Sequence, residues 1–352
     1  MNIILYFLAA FMFSVIFAPL TIRFCFRMGY LDNPSERKIH ARSIPRLGGF
    51  AIVASFLLTS FFVILLNHGT GQIFSAGFGG FFLASLLLVL LGAWDDIYGA
   101  GPYLKFLVQI LIALILFKSG ARVEVFSNPF GQGEIGLSFY ASMLFTVIWV
   151  VGIMNAINMI DGMDGLACGV VFIAGLCLLL VSLYLKSHAP VVLLSILCGS
   201  TLGFLVFNYP PAKIFLGDTG SMFLGFILAY ASMIGFHYKT ATATALLVPV
   251  CALALPVSDC FIAAGRRLVN KKSIFIADKK HLHHRLLQLG LTPKQVIALF
   301  YLATLYFGAI SFLFVLIPQS YALVLLVFMW VGLFSGVRMI GFIERKIRFC
   351  ER

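Results

Sequence analysis

Residues 165–185 read Gly-Leu-Ala-Cys-Gly-Val-Val-Phe-Ile-Ala-Gly-Leu-Cys-Leu-Leu-Leu-Val-Ser-Leu-Tyr-Leu and include no charged side chain. A helix of about 20 apolar residues crosses the hydrocarbon core of a bilayer, so this segment is typical of a transmembrane helix. The whole chain of 352 residues has a similar character, with 61% apolar and 11% charged residues and a mean hydropathy of +1.04. This composition excludes a water-soluble fold and indicates an all-α, polytopic membrane protein.

Apolar windows of about 18 or more residues predict about eleven transmembrane helices. The connecting segments are short and show no internal repeat, so residues 1–352 are expected to form one domain. The segment near 122–139 places two short apolar stretches around Asn-Pro-Phe-Gly-Gln-Gly, which predicts a small β-hairpin. The predicted helices are 2–22, 48–66, 78–94, 103–118, 138–157, 165–185, 191–207, 219–236, 242–260, 296–317 and 321–340.

The basic residues predict the orientation of the chain, because Lys and Arg collect on the cytoplasmic side of membrane proteins. With the N-terminus outside and an odd number of crossings, most of the 25 Lys and Arg residues fall inside. Those left outside are Lys118, Arg122, Lys186 and Lys239. We therefore expect the N-terminus and the hairpin outside and the C-terminus in the cytoplasm.

Two adjacent carboxylates, Asp95 and Asp96, stand at the inner end of the predicted helix 78–94. Adjacent acids repel each other, and desolvation at this depth is already costly, so the pair indicates a nearby cation or a proton-transfer role. A solvated helix end followed by a turn is the structural alternative. The two residues alone leave both interpretations open.

The most informative polar motif is Asn155-Ala-Ile-Asn158-Met-Ile-Asp161-Gly-Met-Asp164-Gly-Leu. Its four oxygen-bearing side chains recur every three residues, so consecutive members are neighbours on one helical surface. A helix cap and a turn would explain one Asp and one Gly, but not four spaced oxygen ligands. The pattern therefore favours a ligand site, where the two glycines let the backbone approach closely.

A third acidic point is Asp218, within Phe215-Leu-Gly-Asp-Thr-Gly-Ser at the start of the predicted helix 219–236. By itself, a carboxylate at a helix N-terminus is best explained as a cap. Beside two other acidic clusters on the inner face, Asp218 supplies the hard oxygen ligand that Mg²⁺ prefers.

Two basic segments of the inside loops offer N–H donors to phosphate oxygens. Ordinary positive-inside charge explains the cations of the first segment but not the Pro/Gly turn that follows them. Zinc is disfavoured at the second segment, because no cysteine is near and two of its three histidines are adjacent. The candidate donors are His40, Arg42, Arg46, His281, His283, His284 and Arg285.

Hard acidic ligands and phosphate-binding cations on one face indicate metal-assisted phosphoryl transfer between a cytosolic compound and a membrane lipid. The sequence contains no P-loop or dinucleotide-binding glycine motif and no C-x-x-C pair among its seven cysteines. No nucleic-acid partner is expected. The alternative is a non-catalytic transporter or flippase for polyprenyl-linked or nucleotide sugars, which would require polar groups in the middle of the helices.

Taken in order, the motifs resemble those of the polyprenyl-phosphate N-acetylhexosamine-1-phosphate transferases, the glycosyltransferase 4 family, over essentially the whole chain. The segments Arg37-Lys-Ile-His40, Ile44-Pro-Arg-Leu-Gly-Gly49 and His-Leu-His-His-Arg-Leu are similar to the WecA/TagO branch rather than to the related MraY branch. This resemblance implies that undecaprenyl phosphate attacks the β-phosphorus of a UDP-N-acetylhexosamine, foremost UDP-GlcNAc. The products would be the lipid diphosphate sugar and UMP, at the initiating step of a cell-envelope polysaccharide.

The resemblance also implies roles for single residues. Asp218 would be the main ligand of Mg²⁺, or of Mn²⁺ in its place, with Asn158 or Asp96 beside it. Asp95 would take the proton from the lipid phosphate. The expected substrate-binding residues are Asn155, Asn158, Asp161, Asp164 and Phe215, the last stacked on uracil, together with the donors His40, Arg42, Arg46, His281, His283, His284 and Arg285. Ala41 stands where MraY-type enzymes have a nucleotide-binding lysine, so the replacing cation stays open.

The implied location is the bacterial cytoplasmic (inner) membrane, with the active site on the cytoplasmic face, where UDP-sugars occur. The loops 23–47, 95–102, 158–164, 208–218 and 263–295 are expected to form that site. A homodimer is compatible with this arrangement. The sugar epimer, the downstream polymer and the choice between one-step transfer and a phospho-enzyme are left open, because none of them requires a distinct motif.

Overall fold

A computed structural model of the chain describes residues 2–33, 43–66, 78–127, 134–235, 247–271, 281–317, 321, 324–332, 334–335 and 338. Most of these residues are helical, as the apolar periodicity predicts. The helices are α1 (Ile3–Met28), α2 (Gly49–Leu66), α3 (Phe78–Tyr98), α4 (Pro102–Lys118), α5 (Phe139–Ile160), α6 (Leu166–Tyr184), α7 (His188–Asn208), α8 (Gly217–Gly235), α9 (Leu247–Ala252), α10 (Ala254–Val269), α11 (Leu282–Gln288) and α12 (Pro293–Leu316).

Within the described residues, 7 helices are long and apolar enough to cross a bilayer, namely α1, α2, α3, α5, α6, α7 and α12. This confirms a multi-pass membrane protein. The predicted spans 103–118 and 219–236 correspond to α4 and α8, and residues 324–332 of the predicted span 321–340 are helical. The total of eleven crossings and the sides on which the termini lie stay predictions.

The predicted span 242–260 differs from the structure. The described part of this region holds two helices, α9 and α10, which are separated at Leu253 (φ −104°). Pro256 lies in the first turn of α10, where a missing N–H group costs no internal hydrogen bond. The apolar window also ends too early, because α10 continues to Val269 and carries Arg266 and Arg267 in its last turn.

Helix α8 forms the centre of the bundle, with residues 219–233 all buried. Two neighbouring helices cross it at glycines, which allow close backbone approach. A Cβ atom at Gly92 of α3 would lie 2.5 Å from Thr219 Cα, and one at Gly49 of α2 would lie 2.2 Å from Gly220 N. These crossings bring the end of α3 and the start of α2 against the first turn of α8.

Two short antiparallel pairs complete the described fold. Strands β1 (Leu31–Asp32) and β2 (Ile44–Pro45) pair between α1 and α2. Strands β3 (Val125–Ser127) and β4 (Glu134–Gly136) pair between α4 and α5, with Val125 opposite Gly136 and Ser127 opposite Glu134. This second pair confirms the hairpin predicted near 122–139.

Candidate active site

The first turn of α8 is the point at which the predicted motifs meet. Asp96, near the end of α3, accepts hydrogen bonds from the N–H groups of Asp218 (2.7 Å) and Thr219 (3.0 Å) and from Thr219 Oγ1 (2.6 Å). The first N–H groups of a helix lack partners within the helix, so Asp96 acts as a cap supplied by another helix. Gly217 precedes them with φ +73°, and a Cβ there would lie 2.8 Å from Asp96 Oδ1. Asp96 therefore fixes the position of Asp218.

Asp95 and Asp218 converge on one ammonium group. Lys105 Nζ, in the first turn of α4, lies 2.5 Å from Asp95 Oδ2 and also pairs with Asp218 Oδ2. The other oxygen of Asp95 accepts the Ala100 N–H at 2.5 Å. The sequence prediction missed Lys105, although its signal was visible: it is a lone cation near the start of the apolar run 103–118.

The two asparagines of the α5 motif, Asn155 and Asn158, contact different helices. Asn158 Nδ2 donates to Ser221 Oγ at 2.8 Å, and Ser221 Oγ donates to the Gly217 carbonyl at 3.0 Å in the turn of α8 that carries Asp218. Asn155 Nδ2 instead donates to Gln109 Oε1 on α4 (2.6 Å) and to the Val151 carbonyl. Asn158 therefore belongs with Asp218, whereas Asn155 links α5 to α4 one turn deeper.

The two aspartates that follow α5 differ in their surroundings. Asp161 ends the helix, and burial, followed by the negative charges of Asp218, Asp96 and Asp164, raises its pKa well above the usual range. Asp164 Oδ2 accepts the Ala212 N–H at 2.9 Å. Asp164 therefore holds the loop that leads into α8 in place. Asp161 forms an acidic cluster with Asp95, Asp96 and Asp218.

The 209–216 loop is held from both sides. Asn208, buried at the end of α7, accepts the Gly165 N–H (3.0 Å) and donates to the Ile214 carbonyl (2.9 Å). The Phe215 N–H donates to the Pro45 carbonyl at 2.9 Å, and the Phe215 carbonyl accepts the Gly48 N–H at 3.0 Å. Sequence analysis gave Asn208 no role, because its partners are distant in the chain or are backbone groups.

The first basic segment reaches the site through its backbone. Arg46 Nε forms an ion pair with the buried Asp32 at 3.3 Å. The backbone carbonyl oxygen of Arg46 would lie 2.5 Å from a Cβ at Gly217. His40 and Arg42 lie outside the described residues, so their predicted roles stay predictions.

The histidine motif packs against the loop between α5 and α6. His283 is 1% exposed, neither of its ring nitrogens has a hydrogen-bond partner among the described residues, and its Nε2 would lie 2.4 Å from a Cβ at Gly162. Burial, followed by the neighbouring His284, lowers the pKa of His283 to about 4. The His283 ring lies 4.2 Å from that of His284 and 5.9 Å from that of His281, while Arg285 follows within the short helix α11.

The donor set of this centre suits a hard divalent cation in type and charge. Asp95, Asp161 and Asp218 supply carboxylate oxygens, Asn158 supplies an amide, and Lys105 is the one cation that bridges two of the acids among the described residues. Both oxygens of Asp96 accept hydrogen bonds and both oxygens of Asp95 have partners, so a metal role has more support for Asp218, where Lys105 contacts one oxygen, than for Asp96. The described residues contain no group of three or more His, Cys, Asp or Glu side chains already arranged around one ion position.

Comparison with known proteins gives consistent similarities. Residues 78–236 match the family model of glycosyl transferase family 4, a range that contains α3 to α8 with Asp95, Asp96, Asp161, Asp164 and Asp218. The chain is 36% identical to a probable undecaprenyl-phosphate N-acetylglucosaminyl 1-phosphate transferase of Bacillus subtilis over 304 residues, 86% of this chain and 82% of the relative. It is 34% identical to the undecaprenyl-phosphate alpha-N-acetylglucosaminyl 1-phosphate transferase of Thermotoga maritima, over 72% of each chain. A phospho-N-acetylmuramoyl-pentapeptide-transferase of Clostridioides difficile is 27% identical over 87% of this chain and 94% of its own.

Proposed function

Because the chain belongs to glycosyl transferase family 4, we propose that it transfers N-acetylglucosamine-1-phosphate from UDP-GlcNAc to undecaprenyl phosphate and releases UMP. The similar proteins of Bacillus subtilis and Thermotoga maritima, at 36% and 34% identity, carry the name of this activity. The similarity to a phospho-N-acetylmuramoyl-pentapeptide-transferase is weaker, at 27% identity. The sugar is therefore inferred from the relatives with the higher identity, and the acceptor from the names of the Bacillus and Thermotoga proteins.

The convergence of Asp95 and Asp218 on Lys105 is the observation that carries this proposal. In the reaction, an oxygen of the lipid phosphate attacks the β-phosphorus of UDP-GlcNAc, and the bond from that phosphorus to the bridging oxygen of UMP breaks. One diphosphate linkage replaces another, so the catalyst must mainly position the phosphates and neutralise their charge. Two carboxylates from separate helices beside one ammonium group provide both functions.

Asp95 is suited to accept the proton of the lipid phosphate. The Lys105 ammonium and the Ala100 N–H stabilise its ionised form through contacts of 2.5 Å each. Asp96 supports Asp95 indirectly. Its hydrogen bonds to the first turn of α8 hold the end of α3, which carries both residues, against α8. A base within hydrogen-bonding reach of the attacking oxygen is the geometric requirement for this step.

Asp218 and Asn158 are the residues that would hold Mg²⁺, or Mn²⁺ in its place, with Asp95 next to them. When bound, the ion would neutralise the diphosphate oxygens of UDP-GlcNAc. Lys105 remains beside the same acids, so it adds a second positive charge toward the phosphates. Asp161 and Asp164 hold the nucleotide end in this proposal, and Phe215 offers its ring to uracil.

We place the reaction at the cytoplasmic face of a bacterial inner membrane. The acids lie near helix ends, at the end of α3, the end of α5 and the start of α8. Because a polyprenyl phosphate keeps its phosphate at the membrane boundary, such a site can meet both the lipid headgroup and a soluble nucleotide sugar. The positive-inside pattern of the sequence assigns this end to the cytoplasm.

The test is UMP release by the purified protein from UDP-GlcNAc with and without undecaprenyl phosphate and Mg²⁺. We expect release to require all three components. Asp218→Ala should abolish turnover, and Asp95→Asn should lower the rate while nucleotide binding persists. Glu124→Gln, on the β-hairpin side of the bundle, serves as the control and should behave as the parent protein.

Two outcomes would contradict the proposal. Near-normal activity of Asp218→Ala at saturating Mg²⁺ would remove it as the main metal ligand. Binding of UDP-GlcNAc with no UMP release under any condition would favour the transporter alternative. A panel of UDP-N-acetylhexosamines in the same assay would identify the preferred sugar, because a pocket that selects one hydroxyl configuration gives distinct kcat/KM values.

A further inference from the structure

A buried aspartate on α10 contacts the histidine motif directly. Asp259 Oδ2 lies 3.0 Å from His281 Nδ1, and Asp259 Oδ1 accepts the Leu282 N–H at 3.1 Å. Both Asp259 and His281 are 7% exposed. Asp259 therefore makes two contacts with consecutive residues of the motif, and neither contact is local in the chain.

The contact with the ring determines which nitrogen of His281 is engaged by Asp259 and which is left over. A carboxylate accepts a hydrogen bond from Nδ1–H, so the Nδ1–H form of the ring is favoured and Nε2 is left for another partner. This is the general arrangement by which a carboxylate fixes the tautomer and the orientation of a histidine.

The contact with the backbone positions the rest of the motif. The side chain of His281, the N-cap residue of α11, makes no capping hydrogen bond, so Asp259 supplies the acceptor for the first turn. Two residues later, His283 packs on Gly162, between Asp161 and Asp164. Asp259 therefore fixes the start of α11, and α11 in turn packs His283 against the loop that contains Asp161 and Asp164.

We propose that Asp259 is a positioning residue for the transfer reaction, which fixes the Nδ1–H form of His281 and docks α11 on the 161–164 loop. This proposal rests on the function proposed above. Asp259 does not touch substrate in this role, and it acts through His281. Asp259 lies in the middle of α10, so the sequence pattern of the histidine motif alone does not include it.

A double-mutant cycle in the full-length enzyme tests this role. We expect Asp259→Ala and His281→Ala each to lower kcat/KM for UMP release by about 10- to 100-fold, the usual effect of removing a group that orients a histidine. The double variant should be no worse than His281→Ala, because residues that act as a unit are not additive. Asp259→Asn keeps the side-chain volume and an acceptor for Leu282, so it tests the carboxylate if the alanine variant fails to fold. Ser258→Ala is the control, because this hydroxyl donates to the Leu255 carbonyl within α10 at 2.9 Å.

A spectroscopic measurement gives an answer that does not depend on turnover. In protein labelled with ¹⁵N-histidine, His281, assigned by comparison with His281→Ala, should show the Nδ1–H tautomer in the parent and lose it in Asp259→Ala. Additive effects in the cycle, or an unchanged tautomer in Asp259→Ala, would overturn the proposal. Absence of UMP release by the parent protein would instead contradict the proposed function and leave the tautomer measurement valid.

Discussion

Lys105 is the residue on which the acidic cluster depends most. It is the cation that two carboxylates from different helices share, and its side chain is 24% exposed. Removing one member of a buried charge group leaves the others uncompensated. Without Lys105, Asp95 and Asp218 would repel each other at the place where the substrate phosphates must bind.

We therefore predict that Lys105→Met lowers the rate of UMP release by about 100-fold or more, the usual cost of losing one group that stabilises developing negative charge. Lys105→Arg should retain part of the rate, because it keeps the charge but not the compact geometry of an ammonium. Lys118→Met, at the exposed far end of the same helix, is the control. A rate within threefold of the parent for Lys105→Met would contradict this assignment.

The buried imidazole of His283 makes the stability of the protein depend on pH. Since the pKa of His283 is lowered to about 4, the unfolded chain binds more protons than the folded one between pH 4 and 6.5. Stability is therefore lost as the pH falls through this range, by about 2 kcal/mol at pH 5 for this residue. His283→Gln should reduce the difference between the apparent Tm values at pH 7.5 and pH 5. The exposed His188→Gln should leave that difference unchanged.

At the scale of elements, the crossing of α3 and α8 positions Asp96 as a cap. A Cβ at Gly92 would lie 2.5 Å from Thr219 Cα, so any larger residue forces the two helices apart. Alanine is a better helix former than glycine by about 1 kcal/mol, which would otherwise stabilise α3. The two effects oppose each other at this one position.

We predict that Gly92→Ala destabilises the protein, by about 1–3 kcal/mol as for other overpacked sites, and lowers activity by displacing Asp96. Gly79→Ala is a matched control on the same helix, because no atom of the described residues lies within 4 Å of a Cβ there. Thermal unfolding and UMP release would be measured on both variants. Equal behaviour of the two would show that the helices can separate without consequence for the cap.

The apolar windows predicted where most helices lie but not where every helix begins and ends. The apolar windows located α5, α6 and α7, because each of these helices is strongly apolar on average and carries no Lys, Arg, Asp or Glu. The same windows failed at residues 242–260, where the break at Leu253 leaves no mark in hydropathy and the polar end of α10 extends past the window. An amphipathic extension beyond an apolar segment requires the 3.6-residue periodicity to be considered as well.

At the scale of the whole molecule, the sequence located the acids but not their partners. Asp95, Asp161 and Asp218 could be found because charge is rare and costly in an apolar chain. Asn208 and Asp259 could not be assigned, because their contacts join segments that are distant in the sequence, and Lys105 could be noticed as a lone cation but not paired with its two acids. The spacing groups Asn155 with the site residues; its amide donates to Gln109 in the structure, and its substrate-binding role stays a prediction.

The orientation of the molecule is the remaining prediction. The positive-inside pattern predicts that the β-hairpin lies on the extracytoplasmic side and the 209–216 loop in the cytoplasm. Glu124 and Lys213 are both exposed and belong to these two regions, so each can carry a cysteine as a probe. In intact cells, a membrane-impermeant maleimide should label Glu124→Cys, and it should label Lys213→Cys only after permeabilisation, with the parent protein as the background control. The reverse pattern would put the acidic cluster on the side without UDP-sugars, and the reaction proposed for it could not take place there.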